Sequence, residues 1–221
     1  MSKQARMAAV ALVAAVLVAA IVAIVAGSPG GGTGSSSASI TSATGQESQF
    51  QGAPFPGEIA APGFTLRDQY GREVSLSEYR GRVVLLTFLY STCGDACVVI
   101  GQQIRGALNE LVEERARPPA VLIVSADPTA DTPANVERFL SEVSLTGRVQ
   151  YLTGTPAQLR LVWHAYAIKP ASDGAAVFDE YAPVLLIDGS GRKRVLFESE
   201  ELTPEGLSHD VRTLDGNPTH P

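Results

Sequence analysis

Cysteine is nearly absent from this chain: there are two in 221 residues, Cys93 and Cys97. That count excludes a scaffold stapled by several disulfides and a structural zinc site of four thiolates. Histidine is almost as scarce, with His164, His209 and His220 only, and neither of the last two has a partner at ligand spacing. Cations are outnumbered, with 17 Lys and Arg against 23 Asp and Glu and a net charge of −6. Without a basic patch the surface offers no footprint for nucleic acid, and without a polybasic segment none for anionic lipid. No internal repeat is visible. No cysteine stands near residue 27, which excludes a lipoprotein anchor there.

Long apolar runs are lacking too, with one exception. From Met7 to Gly27 the chain is an unbroken series of Ala, Val, Ile and Leu, preceded by Lys3 and Arg6. About 20 such residues cross the hydrocarbon layer as a helix, and positive charges before the run favour a cytoplasmic N-terminus. The expectation is a cytoplasmic stretch at residues 1–6, a transmembrane anchor at 7–27 and export of all that follows. A cleaved signal peptide shares the charged start, but its apolar region is about 7–15 residues long. Either would leave the later chain outside the cytoplasm.

Ser28 to Gln51 is Gly, Ser, Thr and Ala with almost no large side chains. Such a segment buries too little apolar surface to offset its ordering entropy, so a flexible linker is expected at 28–54. A folded domain follows at 55–215 and a tail at 216–221. Within the domain, Phe64–Leu66 and Glu73–Ser75 flank a turn and read as a hairpin. Val83 to Leu89 and Ala120 to Val124 are continuous apolar runs, as in strands covered on both faces. Val149 to Leu152 is a further strand, and Val184–Ile187 with Val195–Phe197 flank Asp188–Gly189–Ser190–Gly191 as a second hairpin. Helices are expected after Cys93, where Val99, Ile100, Ile104, Leu108, Leu111 and Val112 recur at helical spacing. Three more open at Thr132–Pro133, Thr155–Pro156 and Thr203–Pro204, with Pro where its missing N–H costs little. Strands alternating with helices and ending in antiparallel strands predict an α/β, thioredoxin-like fold. It has a central mixed sheet, flanking helices and an N-terminal hairpin, preceded by the transmembrane helix.

Cys93 and Cys97 lie where a buried strand hands over to a long helix. There the unpaired N–H groups of a first turn stabilise a thiolate. One helical turn between them puts both sulfurs on one side, within the range a disulfide tolerates. The pair can be a dithiol, a disulfide or a two-thiolate metal site. A merely stapling disulfide would close too small a loop to stabilise the fold much. As a redox couple, Cys93 is the attacking thiolate and Cys97 resolves. As a metal site, two soft thiolates favour copper(I). A peroxidase is excluded, because Leu86 and Tyr90 stand where that chemistry has Pro and Thr.

The stretch from Phe64 to Cys97 resembles the start of Sco/SenC proteins. So do Val124–Pro128, Asp131–Thr132–Pro133, Tyr151–Gly154 and Leu186 to Arg192, together spanning roughly residues 58 to 200. The resemblance implies a thioredoxin fold on a bacterial membrane anchor, in a single-pass protein with its C-terminal domain outside the cytoplasm. It implies copper(I) delivery, cysteine reduction, or both, in cytochrome c oxidase assembly. The partner would be the oxidase subunit carrying the dinuclear copper centre, or other exported thiol proteins. The family's copper site joins its two cysteines to a histidine, and here that position falls on Glu180, a harder ligand poorly matched to copper(I). Gly94 stands where the family usually has Pro, and Pro183 near where the fold often has a cis-proline. The alternative is a general thiol–disulfide oxidoreductase without a metal role, and a third reading is a redox-inert interaction domain. An active chain would be a thiol–disulfide oxidoreductase, otherwise a metallochaperone. Copper(I) is the implied cofactor, at Cys93 and Cys97.

Overall fold

The computed structural model describes residues 48–169 and 182–216, all within one compact unit, Gln46–Pro221. Eight strands are described: β1 (Ala53–Ala60), β2 (Thr65–Arg67), β3 (Glu73–Ser75), β4 (Val84–Leu89), β5 (Ala120–Ser125), β6 (Gln150–Leu152), β7 (Val184–Ile187) and β8 (Arg192–Phe197). The described α-helices are α1 (Asp95–Glu113), α2 (Pro133–Glu142), α3 (Pro156–Ala165) and α4 (Pro204–Asp215). Six strands form one sheet in the order β1-β8-β7-β4-β5-β6. β4, β5 and β6 run parallel, and β7, β8 and β1 are added antiparallel to their neighbours. This is the mixed thioredoxin-like sheet expected from the alternation of strands and helices.

The central strands explain their own sequence. Every residue of β4 and β5 is buried, so their near-continuous apolar runs are covered on both faces. Thr87, the polar residue in β4, donates its hydroxyl proton to the Pro183 carbonyl at 2.9 Å. Helices α2, α3 and α4 each begin at Pro after a Thr whose hydroxyl accepts the backbone N–H three residues on. Each such cap contributes about 1 kcal/mol. The early hairpin, β2 with β3, forms a separate two-stranded sheet. It is held to the main one by reciprocal hydrogen bonds between Arg67 and Thr153, and the Gln69 side chain accepts the Tyr151 N–H.

Three expectations need correction. The transmembrane anchor at 7–27 lies outside the described residues, and among the described residues no helix is long and apolar enough to cross a membrane. Even α1, with 19 residues, carries Asp95, Arg105, Glu110 and Glu113 in a helix that buries only one side. The supported fold class is the thioredoxin-like domain, with no helix able to cross a membrane among the described residues. The single-pass topology, the membrane localisation and the membrane as a partner are withdrawn with it. Second, structure begins earlier than expected: Phe50 is buried and β1 starts at Ala53, inside the stretch assigned to the linker. Its Pro54, Pro56 and Gly57 read as linker, yet an edge strand with one unpaired side tolerates proline. Third, Val99 and Val112, which recur at the apolar helical spacing, are exposed.

Candidate redox site at the start of helix α1

β4 runs buried to Leu89 and delivers the chain into a short loop, Tyr90 to Gly94, before α1 begins. The loop turns back on itself, with the Cys93 N–H donating to the Tyr90 carbonyl at 3.2 Å. Gly94 occupies the N-cap with φ 70° and ψ −150°, a conformation essentially confined to glycine. No side chain caps the helix there, so its positive end remains available to an anion forming at the helix start.

Cys93 and Cys97 are joined in a disulfide, with their α-carbons 5.9 Å apart. Both are buried, but unequally: Cys93 retains 7% of its surface and Cys97 only 1%. Cys93 is thus the less buried of the two, and Cys97 lies within the first turn of α1. The exposed Val99 follows on the same helix.

Beneath this loop lies a group that sequence reasoning quoted only as part of a motif. Asp131, 7% exposed, precedes the N-cap of α2. Its Oδ1 accepts the Ser91 backbone N–H at 2.6 Å. Its Oδ2 accepts the Ser125 hydroxyl at 2.5 Å and the Tyr151 hydroxyl at 2.8 Å. Burial pushes the Asp131 carboxyl up, against the pull of the hydrogen bonds from Ser125, Ser91 and Tyr151. Burial, with the neighbouring Asp131 charge, also raises the Tyr151 hydroxyl, which stays a proton donor. The contact spans 40 residues of sequence, so no local pattern announces it.

The remaining candidates disperse. His164 is exposed on α3, and His209 on α4 pairs with Asp210 at 2.9 Å. Glu180 and His220 lie outside the described residues. Among the described residues no group of three His, Cys, Asp or Glu could hold a metal ion. The two sulfurs, spent on each other and without a third donor in that set, do not fit the three-ligand copper site that the resemblance implied. Pro183 begins the approach to β7, and no cis peptide bond occurs among the described residues. A cavity of about 630 Å³ opens beside β1, β7 and β8, lined among others by Phe55, Tyr166, Ile168, Pro183 and Leu196. Neither cysteine is among its described lining residues.

Comparison with known proteins gives this geometry a family context. The family model described as SCO1/SenC matches residues 52–215. The mitochondrial SCO2 homolog of Bos taurus is 30% identical over 106 residues, 48% of this chain and 39% of that protein. The chain spans half or less of the length of the curated relatives it matches. Among solved structures, one describes a disulfide switch in BsSco, a member of the Sco family of cytochrome c oxidase assembly proteins. It superposes with a TM-score of 0.62 at 22% identity, covering 74% of this chain and 98% of that one. ScoI of Bradyrhizobium japonicum with copper bound superposes with a TM-score of 0.52 at 26% identity, covering 71% and 99%.

Proposed function

The chain belongs to the SCO1/SenC family, and from that premise we propose that it is a thiol–disulfide oxidoreductase whose Cys93–Cys97 pair is the redox centre. The observation that carries this reading is the pair itself, closed as a disulfide at the start of α1 with Cys93 the less buried residue of the two. A thiolate of a partner dithiol attacks the Cys93 Sγ. The Cys93–Cys97 bond breaks, and Cys97 departs as a thiolate that takes up a proton. The partner's second thiolate then attacks the mixed disulfide and releases Cys93, which takes up a proton in turn. Two electrons pass to the cysteine pair, and the partner leaves as a disulfide; oxidation of a partner is the reverse. The helix N-terminus lowers the cost of the thiolate that leaves.

The expectation of a membrane-anchored copper(I) deliverer acting on the oxidase subunit is corrected here. No membrane-crossing helix and no metal-capable cluster occur among the described residues, and in this oxidised form the two sulfurs a soft metal would need are bonded to each other. Copper enters through relatives described with copper bound, and no step for this chain is routed through it.

The test is a redox titration in dithiothreitol buffers, quenched by alkylation and read by mass. Two thiols should appear together in one two-electron transition that either Cys93→Ser or Cys97→Ser abolishes. An unchanged mass across all potentials would remove the redox role. The reduced domain is expected to withdraw no copper from a micromolar copper(I)–chelator complex, and withdrawal requiring both cysteines would restore a metal function.

A further inference from the structure

The loop carrying Cys93 is fastened to the body of the domain at Ser91, whose hydroxyl also donates to the Ala130 carbonyl at 3.5 Å. The chain leaves β4 after Leu89, and two residues before Cys93 the Ser91 N–H is taken by the Asp131 carboxylate at 2.6 Å. The peg is itself rigid. The Asp131 N–H donates to the Asp127 carbonyl at 3.0 Å. The Asp127 carboxylate accepts the N–H groups of Thr129 and Ala130. Asn135 ties the Ala130 carbonyl to α2 at 2.8 Å. From below, Ser125 at the end of β5 and Tyr151 in β6 orient the other carboxylate oxygen, so three elements converge on one buried side chain. Cys97 needs no such device, because α1 already holds it.

We propose that Asp131 is the positioning residue of the redox centre: by clamping the Ser91 amide it holds Cys93 at closing distance from Cys97. The inference rests on the redox reading of the pair. The physical effect is on the dithiol form. A tethered Cys93 has fewer conformations to lose when the S–S bond forms, which raises its effective concentration at Cys97 and favours the disulfide. Freed from the clamp, the dithiol gains conformations and the disulfide becomes easier to reduce.

The test compares the equilibrium constant for reduction by dithiothreitol in the full chain and its variants. Asp131→Ala should make the disulfide about tenfold easier to reduce, a shift of about 30 mV for a two-electron couple. Asp131→Asn should stay within about threefold of the parent, because its amide oxygen still accepts the Ser91 N–H and its NH₂ can donate to the two hydroxyls, which accept as well as donate. A folded Asp131→Ala protein with the parent's constant overturns the proposal. So does an Asp131→Asn protein shifted as far as Asp131→Ala, since the buried charge rather than the clamp would then be responsible. Should Asp131→Ala fail to fold, amide exchange in the unmodified oxidised protein decides. The Ser91 N–H, one residue beyond Tyr90 and outside any strand, should be protected about a hundredfold over an open chain, and exchange at the open-chain rate overturns the clamp. If the unmodified pair shows no reversible couple, the functional reading fails, while the Ser91 exchange still reports on the clamp by itself.

Discussion

At Asp188, in the turn between β7 and β8, one buried carboxylate collects four donors. They are the Ser190 N–H and hydroxyl, the Arg192 N–H, and the Arg194 guanidinium at 2.9 Å. Burial alone would raise its titration point, but the hydrogen bonds and the cation outweigh burial and hold the carboxyl below the ordinary carboxylate range. A group whose folded value is depressed contributes stability above its unfolded value, about pH 3.9, and that stability is lost as pH falls through the folded value. Asp188→Asn should therefore cost about 2 kcal/mol at pH 7. It should also flatten the acid limb of stability below about pH 4, as measured by urea unfolding at stepped pH. Asp131 acts in the opposite sense: its value is raised, so ionisation costs the fold stability as pH climbs from the unfolded value through the folded one. Both residues stood in motifs quoted from the sequence. For Asp188 the neighbouring Ser190 and Arg192 were legible as turn chemistry, whereas the partner of Asp131 across the fold was not.

At the scale of elements, the backbone at Gly94 sets the start of α1. Gly94 adopts a positive φ with open space where a Cβ would be, so a substitution there meets backbone strain and no collision. Gly94→Ala should lower stability by about 1–3 kcal/mol, read by thermal or chemical denaturation of the oxidised protein. A proline here, with φ near −65°, could not occupy this backbone without rebuilding the loop. The helix itself was legible, since its apolar spacing and the preceding buried strand announce it. Its exact burial was not: Val99 and Val112 fit the spacing yet face outward, because the partner α4 covers only one side of α1. β1 was missed for a related reason. An edge strand needs hydrogen bonds on one side only, and its prolines and mostly exposed residues imitate a linker.

For the molecule as a whole, the N-terminal edge is fastened to the last helix. The fully buried Asp210 of α4 accepts the N–H groups of Gln51 and Gly52 at 2.8 and 3.0 Å, across some 158 residues. Gly52 packs so closely that a Cβ would come within 2.6 Å of Val195. Asp210→Ala should leave both donors unpaired, cost about 2–3 kcal/mol, and open β1 first. Amide exchange should show Ala53–Ala60 losing protection while β4 and β5 keep theirs. The sequence by itself determined the α/β class, the order of the elements after β1, the capped helix starts and the cysteine pair, because apolar period, caps and spacing are local properties of the chain. Only the tertiary structure decided that the cysteines close a disulfide beside no third donor among the described residues, that Asp131 fastens their loop, and that β1 completes the sheet. Each of those depends on groups brought together from distant parts of the chain, and no local pattern records such a meeting.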